Sequence, residues 1–190
     1  MTKIRTLLQE IKQLDDLHRE ARNTPSQDPM TLYPPAAADA VKRLIEGGWT
    51  HPLPPSFGEF LAASDGVDRF RGALDFLSTD VARQRPIRSI LEKRIEQDDI
   101  DLRAMFKQVN RKVTQEWESD PDNFYVPNHP VIAVTKFGGL LFYDSRTRDD
   151  QGEMQLCWAS EDDGAIGERY DNIRKYLEAA LQEAKRSAGA

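Results

Sequence analysis

The side chains able to do covalent or metal chemistry are few: the chain holds three histidines and one cysteine. Cys157 lies in the run MQLCWAS. There Met154, Leu156 and Trp158 alternate as in a strand and put Cys157 on the opposite face. A nucleophilic cysteine needs a neighbouring base to hold its thiolate. The sequence places none beside Cys157, which therefore reads as a small packed side chain. His51 and His129 each precede a proline in a turn. They could meet in space, but a zinc site built on them would need carboxylates from elsewhere. Gly138–Gly139 lacks a following Lys-Ser/Thr and lies between two extended runs, so it marks a hairpin turn and not a phosphate loop. There is no HExxH and no paired CxxC. These patterns predict a protein that is not an enzyme and carries no cofactor and no metal.

Carboxylates are the abundant charged group, with 32 Asp and Glu against 26 Lys and Arg and a net charge of −6. They gather at Asp98, Asp99 and Asp101, at Asp149, Asp150 and Glu153, and at Glu161, Asp162 and Asp163. None of the three groups has the alternating oxygen ligands and distal glutamate of a calcium loop. Aspartate also collects in turns because its side chain bonds local backbone. The second and third groups fall in turns at the ends of neighbouring strands. They are read as one acidic rim, with Asp144 close by, suited to a basic protein partner such as a nuclease domain. The negative balance argues against a sequence-blind nucleic-acid binder, which needs clustered Lys and Arg.

The elements that must position these residues follow from periodicity. With 190 residues, 39% apolar and 31% charged, the chain suits one globular domain. Ile4, Leu7, Leu8, Ile11, Leu14, Leu17 and Ala21 recur at helical spacing, with Thr2 as a cap. Four of them fit a coiled-coil seam that His18 breaks, which favours docking on the domain. Pro25 and Pro29 punctuate the loop NTPSQDP. A second helix is expected from Pro34–Pro35 to the glycine stop at Gly47–Gly48. A third starts at Pro54–Pro55 and carries Phe57, Phe60 and Leu61 on one face. ALDFLS reads as a short strand. Ile87–Trp117 reads as two helices parted at the acidic run QDDID, the second with Leu102, Met105, Phe106, Val109, Val113 and Trp117 in one stripe. ESDPDN is a loop. VIAVTKF, LLFYDS and MQLCWAS form a three-strand antiparallel meander with one face to bury. A last helix carries Tyr170, Ile173, Leu177, Ala180, Leu181 and Ala184. The order predicts an α+β fold, an antiparallel sheet flanked by helices. No apolar run approaches a membrane span. The start, MTKIRTLLQEIKQL, is too charged for a secretory signal, and a single cysteine fits a reducing compartment. The expected location is cytoplasmic, with no membrane partner.

The segment WTHPLPPSFGEFLAASDGV, Trp49 to Val67, resembles the SUKH superfamily of fungal cell-wall-assembly regulators and bacterial toxin-immunity proteins. Leu53, Pro54, Phe57, Phe60, Leu61, Asp65 and Gly66 stand where that pattern has its Leu-Pro pair, aromatic helix and Asp-Gly stop. ALDFLS, the hairpin VIAVTKFGGLLFYDS with Asp144, the strand GEMQLCWASED and the helix ERYDNIRKYLEAAL look like the elements that follow. The resemblance covers residues 41–181 of a single domain spanning 1–190. Residues 1–30 look like a helical extension and 82–123 like a helical insertion. It implies an immunity protein that neutralises a cognate bacterial toxin by occluding its active site. The partner surface would comprise Asp144, Asp149, Asp150, Glu153, Glu161, Asp162 and Asp163. Its fungal branch implies the alternative, a non-catalytic regulatory or scaffold module for protein interaction.

Overall fold

The structure, a computed structural model, describes residues 3–21, 28–107, 109–160 and 166–189. The expected cap at Thr2 and Pro25 lie outside these residues, as do Glu161, Asp162 and Asp163. The fold is α+β, with helices around two antiparallel sheets.

Helix α1 (Lys3–Ala21) buries Ile4, Leu7, Leu8 and Ile11 and packs along the closing helix α6 (Ile173–Gly189). On α6, Ile173, Leu177, Ala180 and Leu181 form the matching buried stripe. The apolar seam of α1 is thus filled from within, and Leu17, beyond it, is 59% exposed. The N-terminal helix is part of the core and is not a coiled-coil strand.

After strand β1 (Thr31–Leu32), helix α2 (Ala38–Arg43) starts later than Pro34–Pro35. The reason is hydrogen bonding. The Pro34 carbonyl accepts from Asp65 N and Ala36 N donates to Leu61 O, both at 3.0 Å, so the prolines lie in an extended segment pinned to helix α3 (Pro55–Ala63). A wider turn over Leu44–Gly48 ends the second helix at Gly47, where φ is +117°. Helix α3 takes Pro55 in its first turn, where the missing N–H costs nothing, and buries Phe57, Phe60, Leu61 and Ala63. Gly66 follows with φ +86°, and a Cβ there would sit 3.1 Å from the Phe76 carbonyl oxygen. Both conformation and space require glycine.

Strand β2 (Val67–Asp68) pairs with β1. The main sheet runs β3 (Leu74–Phe76), β4 (Val131–Thr135), β5 (Leu140–Tyr143), β6 (Leu156–Ala159), β7 (Ile166–Tyr170), each pairing antiparallel with the next. The expected three-strand meander is its centre. ALDFLS adds one edge and Ile166–Tyr170 the other, so Tyr170 ends a strand and the last helix starts at Ile173.

Every residue of β4 and β5 is buried, so the sheet hides two faces where the sequence reading allowed one. On one face α3 stacks Phe57 on Phe60 and Phe60 on Phe76, with Phe57 edge-on to Tyr143. On the other, Phe124 stacks on Phe142 at 4.5 Å. Phe124 comes from the stretch that includes helices α4 (Val81–Phe106) and α5 (Arg111–Trp117).

Helix α4 runs unbroken through QDDID. The pairs Arg94–Asp98 (2.9 Å) and Gln97–Asp101 (3.0 Å) join side chains one turn apart there, and Tyr125 Oη donates to Asp99. Such contacts support helix where composition alone suggested a stop. The break falls instead at Lys107, with φ +65°. Asn110 then caps α5 by accepting from Lys112 N and Val113 N. Of the stripe expected across these helices, Leu102 and Val113 are buried, whereas Met105 is 57% and Phe106 37% exposed.

Candidate partner-binding site

One end of the main sheet collects the polar residues. The loop from Glu118 leads there into β4, and the chain leaves β5 there at Asp144. Asp144 is buried and accepts from Arg146 N. Arg146 folds back so that Nε and Nη2 each donate to the Asp144 carboxylate at 2.7 Å. Its Nη1 donates to the carbonyls of Glu118 and Asn123, both at 2.9 Å. From β7, Arg169 brings Nη1 to 3.5 Å from Asp144 and donates through Nη2 to the Pro121 carbonyl. The two guanidiniums therefore clamp the 118–123 loop onto the sheet, with the Asp144 charge beneath them.

His129 is the second fastener. It is 1% exposed. Its Nδ1 accepts from Ser145 N at 3.1 Å, which fixes the ring proton on Nε2, and Nε2 donates to Glu118 Oε1 at 2.7 Å. Glu118 also accepts from Tyr125 N and Asn128 Nδ2. Burial raises the Glu118 carboxyl, but the donors from His129, Tyr125 and Asn128 together outweigh it and hold its pKa below the ordinary range. Asp144 behaves alike: burial raises it, and the Arg146 side chain, backbone N–H and charge together bring it below its usual value. A histidine held on both nitrogens and a carboxylate spent on arginine fasten the fold. They present no proton to a substrate.

The residues expected to bind a partner divide accordingly. Asp144 lies inside the protein. Glu153 is half-buried and accepts from both Ser56 N (2.8 Å) and Ser56 Oγ (2.7 Å). It thereby caps α3 from a distant part of the chain, where Pro54 supplies no side-chain cap. Asp149 accepts from Gln151 N and Glu153 N and shapes its own turn. Asp149 and Asp150 are exposed. Residues 149–153 lead into β6 at Leu156, and Ser160 follows its other end. Glu161, Asp162 and Asp163, the other part of the expected rim, lie outside the described residues.

Asp120 and Asp122 lie at the same end of the sheet as Asp149 and Asp150, and sequence reasoning missed them. Both are exposed. Asp120 accepts from Asp122 N, and Asp122 lies 3.4 Å from Arg169. They come from ESDPDN, read only as a loop, although it is as rich in carboxylates as the turn chosen instead. Four exposed carboxylates, Asp120, Asp122, Asp149 and Asp150, thus share one end of the sheet.

The remaining reactive residues are engaged in packing. Cys157 is fully buried, and burial pushes its thiol up to about 11 despite the Arg169 guanidinium. His51 bonds the Pro127 carbonyl and His129 bonds Glu118 and Ser145, so the two rings serve different partners. Among the described residues no group of three His, Cys, Asp or Glu side chains is placed to hold a metal ion, and no helix is long and apolar enough to cross a membrane. No family model matches the chain, nor does any curated protein or solved structure.

Proposed function

We propose that this protein is a non-catalytic binding module of the immunity type, which neutralises a cognate toxin by covering its active site. The partner is a basic protein, engaged at the acidic end of the sheet. One observation carries the reading. Asp120, Asp122, Asp149 and Asp150 are all exposed at this end of the sheet, and the cations there are already engaged: Arg146 and Arg169 on Asp144 and backbone carbonyls, Arg169 also on Asp122, and Arg148 on the Pro52 carbonyl. A rim of one sign steers an oppositely charged partner and raises its association rate. The resemblance of Trp49–Val67 to SUKH sequences and the net charge of −6 point the same way.

The regulatory or scaffold reading has its own support in Ile100 and Met105 of α4, more than half exposed, because apolar side chains on a helix are docking material. Growth tests separate the two. The product of the adjacent gene is expressed alone and together with this protein. Growth arrest relieved by this protein supports immunity. A harmless neighbour, together with stable capture of an endogenous assembly, supports the scaffold reading.

A further inference from the structure

The buried stripe of helix α1 runs through Ile4, Leu8 and Ile11. The same spacing of three and four residues carries it on to Asp15 and His18. Helix α6 changes in step. The ion pairs Lys3–Glu178 and Glu10–Lys185 set the two helices side by side and parallel, and the stripe of α6 shrinks from Ile173, Leu177 and Leu181 to Ala184 and Ser187. At this polar, small-residue end the seam opens into a cavity of about 260 Å³. Ile11, Leu14 and Ala184 form its apolar wall, and Arg71 and Gly72 of the β2–β3 turn border it.

Packing alone does not explain the polar end of this seam, because a carboxylate taken from water without a partner costs stability. The other charges around the cavity are matched. Arg19 and Lys12 donate to Asp16 at 3.0 and 2.7 Å, Arg71 donates to Glu183, and Asp28 pairs with Arg69 at 2.7 Å. Asp15 is different: among the described residues no hydrogen bond or ion pair reaches its half-buried carboxylate. Burial, and then the Asp16 charge, raise its pKa by more than Arg19, Lys12 and His18 lower it. The helix ends favour the same sign of ligand. His18 lies in the last turn of α1 and Ser187 in the last turn of α6, where the macrodipoles are negative.

We propose that this cavity binds a small organic amine, with the ammonium on the Asp15 carboxylate and a single ring or short aliphatic chain against Ile11, Leu14 and Ala184. An anion is the wrong ligand, because Arg19 and Arg71 already hold carboxylates. The volume falls short of the roughly 300–1,000 Å³ of pockets for drug-sized ligands, which keeps the amine small. This inference uses none of the rim residues and is independent of the partner bound there.

The test is titration of the full chain with benzylamine and with n-butylamine, read by calorimetry and by backbone amide shifts in NMR. Benzyl alcohol and benzoate are the neutral and anionic controls. At least one amine should bind with a Kd of about 1 mM or tighter and shift the amides of residues 11–18 and 184–187. The controls should bind more than about tenfold more weakly. Asp15→Asn keeps the shape and removes the charge. It should weaken amine binding at least about tenfold and leave Tm unchanged or higher, because an unmatched, half-buried charge is gone. Ala184→Leu should fill the cavity and block the amine with Asp15 in place. Failure of both amines to saturate overturns the proposal, as does equal binding of benzyl alcohol, amine affinity that Asp15→Asn or Ala184→Leu leaves intact, or shifts confined to other residues.

Discussion

Replacing Arg146 by alanine removes the bidentate partner of a carboxylate whose side chain is 3% exposed. It also removes donors from the carbonyls of Glu118 and Asn123. Breaking a buried ion pair from one side costs roughly 3–5 kcal/mol. Here Arg169 stays 3.5 Å from Asp144 and Arg146 itself is 28% exposed, so the lower end, about 3 kcal/mol, applies. For a chain of this length that is a fall in Tm of about 6–12 °C. The pH dependence gives the argument its sign. In the wild type Asp144 is held below its ordinary pKa of 3.8, so its contribution is fully present above that value and is lost as pH falls through the depressed one. In the variant burial is no longer offset and the Asp144 pKa rises. The variant is therefore penalised most at neutral pH and recovers as the carboxyl takes up a proton. The Tm gap should narrow as pH falls from neutral to below the ordinary carboxyl value of 3.8. Thermal unfolding followed by circular dichroism across that range reads both effects. A drop under about 2 °C at pH 7, or a gap independent of pH, would refute the account of Asp144 and Arg146 as a buried pair.

Glu153→Ala should cost about 1 kcal/mol by uncapping α3, and Ser56→Ala in the same background should add little, because both side chains serve one cap; additive losses in urea unfolding would show that they act separately. Cys157 should resist thiol reagents in the native protein and react once in denaturant, since burial keeps it protonated with a pKa of about 11. Rapid stoichiometric labelling without denaturant would contradict its placement.

Legibility in the sequence followed the range of the interactions. Helix α3 and the β4–β5 hairpin could be read because proline at a first turn, glycine at positive φ and β-branched alternation act locally. The start of α2 could not, because Pro34 and Ala36 bond to Asp65 and Leu61, far along the chain. Helix α4 was cut at QDDID because acidic runs suggest loops, whereas Arg94 and Tyr125 hold this one in place. The edge strand at Ile166–Tyr170 has the burial pattern of one buried residue followed by exposed and half-buried ones, too weak an alternation to notice. At the candidate site, the exposure of Asp149 and Asp150 agreed with the turn composition. The burial of Asp144 depended on arginines two and 25 residues away. Asp120 and Asp122 joined the rim through carbonyl contacts, which leave no side-chain signature in a sequence.

The central claim is that a basic protein is held at the acidic end of the sheet. The direct measurement is capture from native lysate with the tagged wild type and with a variant carrying Asp120→Asn, Asp122→Asn, Asp149→Asn and Asp150→Asn, each over a salt series. The account predicts a stoichiometric basic protein that the wild type retains at low salt and releases as salt rises, and that the variant retains weakly with a shallower salt dependence. Capture that responds neither to salt nor to the four substitutions, or no stoichiometric partner at low salt, would contradict it.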